Sequence, residues 1–185
     1  SKEKDTYTPK ECQEIIERAK THRFGIYIRI ILQMGLRPSE LCGLKWEDID
    51  FKQGTMSIKR ACTDLNGMAV VGEPKSEKSK RTIPIPVDLL EALKEHKAQG
   101  YVIISANGKN ISPRTFTAKR YDVFFKNTGL RKLTPKQMRS TCGTLLYEKS
   151  HDIYAVKAFL GHSDIKVTSN IYVQPNPEDL RKQLF

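Results

Sequence analysis

Tryptophan occurs once in this 185-residue chain and cysteine only four times. Cys12, Cys42, Cys62 and Cys142 form no C-x-x-C pair and no Cys/His ligand spacing. That argues against both a structural zinc site and a disulfide framework. Reduced, mostly buried thiols are expected instead. Long apolar runs are also missing: the longest, Phe24 to Leu36, is broken by Arg29 and Gln33 and is too short to span a bilayer. The N-terminal stretch SKEKDTYTPKE is charged from its second residue, so no signal peptide is expected. Acidic residues are the minority, 21 against 32 Lys and Arg, for a net charge of +11. Nor do they gather into the carboxylate cluster a two-metal nuclease requires. The sequence therefore predicts a cytoplasmic protein without membrane, metal or cofactor, whose positive excess seeks nucleic acid or another acidic surface.

An apolar share of 38% with 29% charged residues suffices for a folded core. Thr8-Pro9-Lys10-Glu11 is a capping box that opens a helix from Pro9 to about Lys20. A more apolar helix covers Phe24 to Met34 and ends at Gly35. Pro38 starts a short helix that Gly43 stops. The period then changes. Thr55–Ile58 and Met68–Val71 read as strands with the hairpin dipeptide Asn66-Gly67 between them. Arg81 to Pro86 reads as a third strand, at an edge because of its prolines. Helices return at Val87 to about Lys97, Ser112-Pro113 to Asn127, Thr134-Pro135 to about Lys149, and Ile153 to Leu160 before Gly161. The predicted class is α+β, mostly helical, with a small three-stranded antiparallel sheet.

Four stretches carry chemistry: GLRPSEL from Gly35, PKS from Pro74 ahead of RTIP from Arg81, LTPKQMR from Leu133, and LGHS from Leu160 followed by Tyr172. Breaking a DNA phosphodiester without metal or ATP needs three things: a nucleophile, cations on the phosphoryl oxygens, and an acid for the leaving 5′-oxygen. Tyrosine, arginine, and lysine or histidine suit these tasks in turn. Arginine does so because it is always charged and grips two oxygens at once.

In this order and at these distances the four stretches resemble the catalytic domain of the tyrosine recombinases, the phage and conjugative-transposon integrases. The resemblance runs from about Thr8 to Gln174. It implies that Tyr172 is the nucleophile, that Arg37 and Arg139 clamp the scissile phosphate, and that His162 hydrogen-bonds it beside the nucleophile. The hairpin lysine of the family acts as general acid; Lys75 fits best, with Lys78 as the alternative. Lys136 departs from the family, which most often has histidine three residues before the second arginine, and Ser140 stands where many relatives have another. A lysine there can donate to a phosphoryl oxygen, but as a base it needs a strongly lowered pKa. Glu40 supports two readings, a holder of its neighbours or a first-turn carboxylate favoured by the helix dipole. Lys78, Lys80, Arg81, Arg114 and Lys119 are candidate DNA contacts.

The resemblance further implies site-specific recombination through a 3′-phosphotyrosine and a Holliday junction, by four protomers on two duplexes, with accessory DNA-bending proteins in the nucleoid. The wording GHSDIKVT before Tyr172 favours integration and excision of a mobile element. Residues 1–7 read as the end of an interdomain linker, 8–174 as the catalytic domain, and 175–185 as a tail whose apolar face docks either on its own domain or, as the resemblance implies, on a neighbouring protomer. Two rival readings share the basic surface: a type IB topoisomerase-like relaxation enzyme, and a DNA-binding module without catalysis. The intact set of Arg37, Lys75, Arg139, His162 and Tyr172 argues against the second.

Overall fold

Side-chain caps begin the helices where the sequence places them. The computed structural model describes residues 5–162 and 175–185. Helix α1 (Pro9–Ala19) starts from Thr8, whose hydroxyl accepts from the Glu11 amide while Glu11 accepts from the Thr8 amide. Helix α2 (Gly25–Met34) has Ile28, Ile30, Ile31 and Met34 fully buried and lies at the centre of the helices. Apart from Arg29 and Gln33, which bond to Asp88, its side chains are almost all apolar, as in an internal helix. Gly35 ends it at φ +63°, and α3 (Pro38–Gly43) follows two residues later.

The sheet corrects the expected pairing. Strands β1 (Ile49–Asp50), β2 (Thr55–Ile58) and β5 (Arg81–Pro84) form a three-stranded antiparallel sheet in the order β1-β2-β5, so the proline-bearing strand is indeed an edge. Met68 to Val71 do not join it. Within β4 (Met68–Gly72) they pair with β3 (Ala61–Leu65) in a separate hairpin. The reason is local. Asn66 and Gly67 both have positive φ, at 51° and 81°, so a two-residue turn pairs Leu65 directly with Met68. Residues 61–65 lack apolar alternation and so gave no strand signal.

Helix α4 (Val87–His96) packs on α2. The expected helix after Ser112 comprises α5 (Pro113–Phe116), a π-turn (Thr117–Tyr121) and α6 (Asp122–Thr128). In a regular α-helix Phe116 and Tyr121 would point about 140° apart. The wider turn sets both in the core with ring centres 6.4 Å apart, and the Tyr121 hydroxyl donates to the Leu133 carbonyl. Helix α7 (Pro135–Ser150) opens with a second capping box between Thr134 and Gln137, and α8 (Ile153–Leu160) ends at Gly161.

The tail forms α9 (Pro177–Leu184) from the Asn176 cap. Within the single chain it lies on its own domain. Leu180 and Leu184 are buried, Phe185 meets Phe159 edge-on, and Arg181 donates to the carbonyls of Gln53, Gly54 and Ile85. An apolar face tethered to its own domain finds that surface at high effective concentration. All four cysteines are buried free thiols. Among the described residues no helix is long and apolar enough to cross a membrane, and no cluster of His, Cys, Asp or Glu could hold a metal.

Candidate active site

The ends of three helices converge on one buried carboxylate. Glu40, in the first turn of α3, is only 3% exposed. Its Oε2 accepts from the Arg37 amide at 2.9 Å and its Oε1 from Arg37 Nη1 at 3.0 Å. From β5, Arg81 adds Nη1 to Oε1 at 2.9 Å and Nη2 to Oε2 at 3.2 Å. Both readings of Glu40 meet here: through the Arg37 amide it caps the first turn of α3, and its oxygens also hold the Arg37 and Arg81 guanidinium groups. A charge this deep is tolerated because it is paired and hydrogen-bonded on both oxygens. The flanking cations keep its carboxyl below the usual range, against burial, which pushes it upward.

Arg139 lies in the second turn of α7, with its guanidinium buried. Nη1 donates to the Gly35 carbonyl at 2.6 Å and Nη2 to the Leu160 carbonyl at 2.7 Å, so one arginine ties the ends of α2 and α8 together. Gly35 has no alternative here: beyond its positive φ, an added Cβ would lie 2.3 Å from a Leu160 methyl. Burial, then the nearby Arg37 charge, lowers the Arg139 pKa to about 10, still cationic at neutral pH.

His162 follows Gly161 out of α8, its amide bonded back to the Lys157 carbonyl. Burial first, then the charges of Arg139, Arg37, Lys157 and Arg81, press the imidazole pKa down to about 4. The ring is therefore neutral at neutral pH and can offer a phosphate oxygen one N–H. An unfolded histidine takes its proton near pH 6.5. As pH falls below that, the unfolded chain binds the proton first, so stability should drop between pH 6.5 and about 4 and level off below. His162→Gln should lose this part of the decline in urea-unfolding series. Parallel stability curves for both proteins would count against a depressed imidazole.

These groups edge a cleft of about 970 Å³. Its lining combines the cations Arg37, Lys136, Arg139 and Lys157 and the neutral His162 with the apolar or aromatic Gly143, Tyr147, Ile153, Val156 and Leu160. No Asp or Glu among the described residues lines it. Sequence reasoning missed Lys157 and Tyr147, whose only signal was position: Lys157 lies one turn and a half before His162 on α8.

The other expected site residues fall apart from the cleft. Lys75 and Lys78 are exposed on the segment between β4 and β5, outside the cleft lining. Lys80 is held by Glu73 and Glu77. Arg114 and Lys119 are exposed on α5 and the π-turn. Arg81 is corrected: its side chain is 1% exposed and fully engaged, so it cannot be a DNA contact. In sequence it looked like one more cation of a basic turn, because nothing local reveals that β5 points it inward. Tyr172 lies outside the described residues.

A cleft edged by cations over a buried Arg–Glu network, with no described carboxylate in its lining, has the electrostatics to hold an anion. The chain belongs to the phage integrase family, whose model matches residues 6–179. It is 30% identical to the tyrosine recombinase XerC-like protein of Caldanaerobacter subterraneus subsp. tengcongensis, over 94% of this chain and 51% of that protein. It is 28% identical to the ICEBs1 integrase of Bacillus subtilis, over 84% of this chain and 46% of that one. The chain thus spans about half the length of the curated relatives it matches. The solved Tn1549 transposon integrase, in complex with circular intermediate DNA, shares the fold with a TM-score of 0.76. It is 22% identical, over 98% of this chain and 66% of that one.

Proposed function

We propose that this chain is the catalytic domain of a site-specific DNA recombinase serving integration and excision of a mobile element. The observation that carries the reading is the cleft itself. Arg37 and Arg139 are fixed on a shared frame at its edge, a neutral imidazole stands beside them, and no described carboxylate opposes a phosphate there. Family membership and the likeness to integrases support it.

In the proposed reaction the Tyr172 hydroxyl oxygen attacks the scissile phosphorus, its proton passing to solvent, and the P–O5′ bond breaks, leaving a 3′-phosphotyrosine. Arg37 and Arg139 stabilise the charge on the non-bridging oxygens, His162 donates one hydrogen bond, and Lys75 protonates the departing 5′-oxygen. Lys136, at the cleft rim, donates to the phosphate. Attack by the partner strand's 5′-hydroxyl reverses the step onto new DNA. Two rounds by four protomers pass through a Holliday junction.

The test is capture on a nicked suicide substrate carrying the element's end. Covalent protein–DNA complex should accumulate in excess EDTA as well as in magnesium, because every proposed charge stabiliser is a side chain. Complete loss in EDTA with restoration by magnesium would overturn the mechanism.

A further inference from the structure

Arg81 is the most deeply buried arginine of the site and the only one of the three that cannot reach DNA, since its side chain is 1% exposed against 39% for Arg37 and 9% for Arg139. We propose that Arg81 is a positioning residue of the recombination site: it holds the Glu40 carboxylate together with Arg37, so that Arg139 is not drawn onto it and stays aimed at phosphate, and it ties the Lys75 segment and the His162 corner to that same carboxylate. The inference rests on the recombinase reading above.

Four donations from one guanidinium carry it. Nη1 and Nη2 grip the two oxygens of Glu40 at 2.9 and 3.2 Å. Nε donates to the Phe159 carbonyl in the last turn of α8 at 2.8 Å, and Nη1 also donates to the Ser79 carbonyl at 2.8 Å. Ser79 closes the segment that carries Lys75, whereas Phe159 is three residues before His162. Three separate pieces of chain that the proposed reaction uses therefore meet on one planar fork. A lysine ammonium could not replace it, because it lacks the fixed fork that serves a carboxylate and two carbonyls together. Gly161 packs directly on this group: an added Cβ would lie 2.6 Å from Arg81 Nη1.

Charge accounting explains why a buried third arginine matters to chemistry rather than to packing alone. Glu40 Oε2 is already 3.9 Å from Arg139 Nη1, just beyond hydrogen-bonding reach. If Arg81 were neutral, Glu40 would keep its negative charge with only Arg37 as a close partner. It would then draw Arg139 away from the Gly35 and Leu160 carbonyls that now aim it. Arg139 would then join Arg37 on the protein's own carboxylate instead of serving a phosphate. Displacements of this size cost about 100-fold in rate where geometry sets the barrier.

The experiment is single-turnover formation of covalent complex on saturating suicide DNA, reading rate constant and burst amplitude separately. Arg81→Met should lower the rate constant by about 100-fold while DNA affinity stays within about threefold. Adding Glu40→Gln to that variant should recover about tenfold, because the competing charge is gone and coupled residues are non-additive. A merely structural role would reduce the amplitude and the melting temperature and leave the rate constant of the folded fraction unchanged. That result, or a double variant no faster than Arg81→Met, would overturn the proposal. If Arg81→Met does not fold, Arg81→Lys decides: a normal rate constant overturns the proposal, and a loss of about tenfold at full amplitude supports it. Failure of the unaltered protein to form any complex would overturn the recombinase reading, and this inference with it.

Discussion

Replacing Tyr172 by phenylalanine is expected to abolish covalent attachment to DNA while leaving affinity within about threefold. The substitution removes one hydroxyl oxygen and nothing else, so neither the cations of the cleft nor the buried Glu40 frame is altered. Affinity for DNA comes chiefly from Lys and Arg at phosphates, and none of those contacts involves a phenol. Cleavage, by contrast, cannot proceed without an atom to attack phosphorus. Six other tyrosines remain in the chain. Of these, Tyr7 and Tyr121 are buried in the core with their hydroxyls bonded to backbone, and burial raises the pKa of both. Neither can substitute. Tyr147 and Tyr154 are exposed, and Tyr147 lines the cleft. Peptide mapping of the captured DNA therefore gives the sharpest outcome. Label on the Tyr172 peptide is expected, and label on the Tyr147 peptide would move the nucleophile.

Lys75→Ala should slow cleavage by about 10²–10⁴-fold, the usual contribution of a general acid, with DNA binding little changed. Lys75 is exposed and outside the described cleft lining. Its action thus requires that its segment close over the bound strand, from an anchor at Ser79 on Arg81. An alkoxide leaving phosphorus needs a proton, and a thiolate does not. Sulfur in place of the bridging 5′-oxygen should therefore restore Lys75→Ala to near the normal rate. If that substrate rescues Lys78→Ala and not Lys75→Ala, the role passes to Lys78. If it rescues neither, the acid lies elsewhere, and Lys136 at the cleft rim becomes the group to test.

Local signals placed the helices because each start and stop is a short-range event. A threonine three residues before Glu11 or Gln137, a proline at the first helical position, and glycines at 35, 129 and 161 act within one turn of themselves. Arg37, Arg139 and His162 were singled out before any geometry because their order along the chain resembles that of the family. Pairing of strands was different. Asn66-Gly67 was legible as a turn, but its partner strand was assigned to Thr55–Ile58, because residues 61–65 carry no apolar alternation. The turn's two-residue geometry overrode the pattern.

The sequence by itself determined most of the helices and the fold class, which follow from backbone capping and turn conformation, both of them local. The candidate residues for chemistry came from resemblance to a family, not from a local rule. Only the tertiary structure decided which cations face outward and which are consumed inside. Arg81, Lys80 and Lys78 are neighbours in one basic stretch, yet Arg81 alone turns inward. Its place at Ile58 in the β2–β5 register directs its side chain at Glu40, 41 residues away in the chain. The tail was decided in the same way: its apolar stripe was readable, and the surface that buries it was assembled from α7, α8 and β5. Charge pairing and burial depend on what the rest of the fold brings within a few ångströms, and no local pattern carries that information.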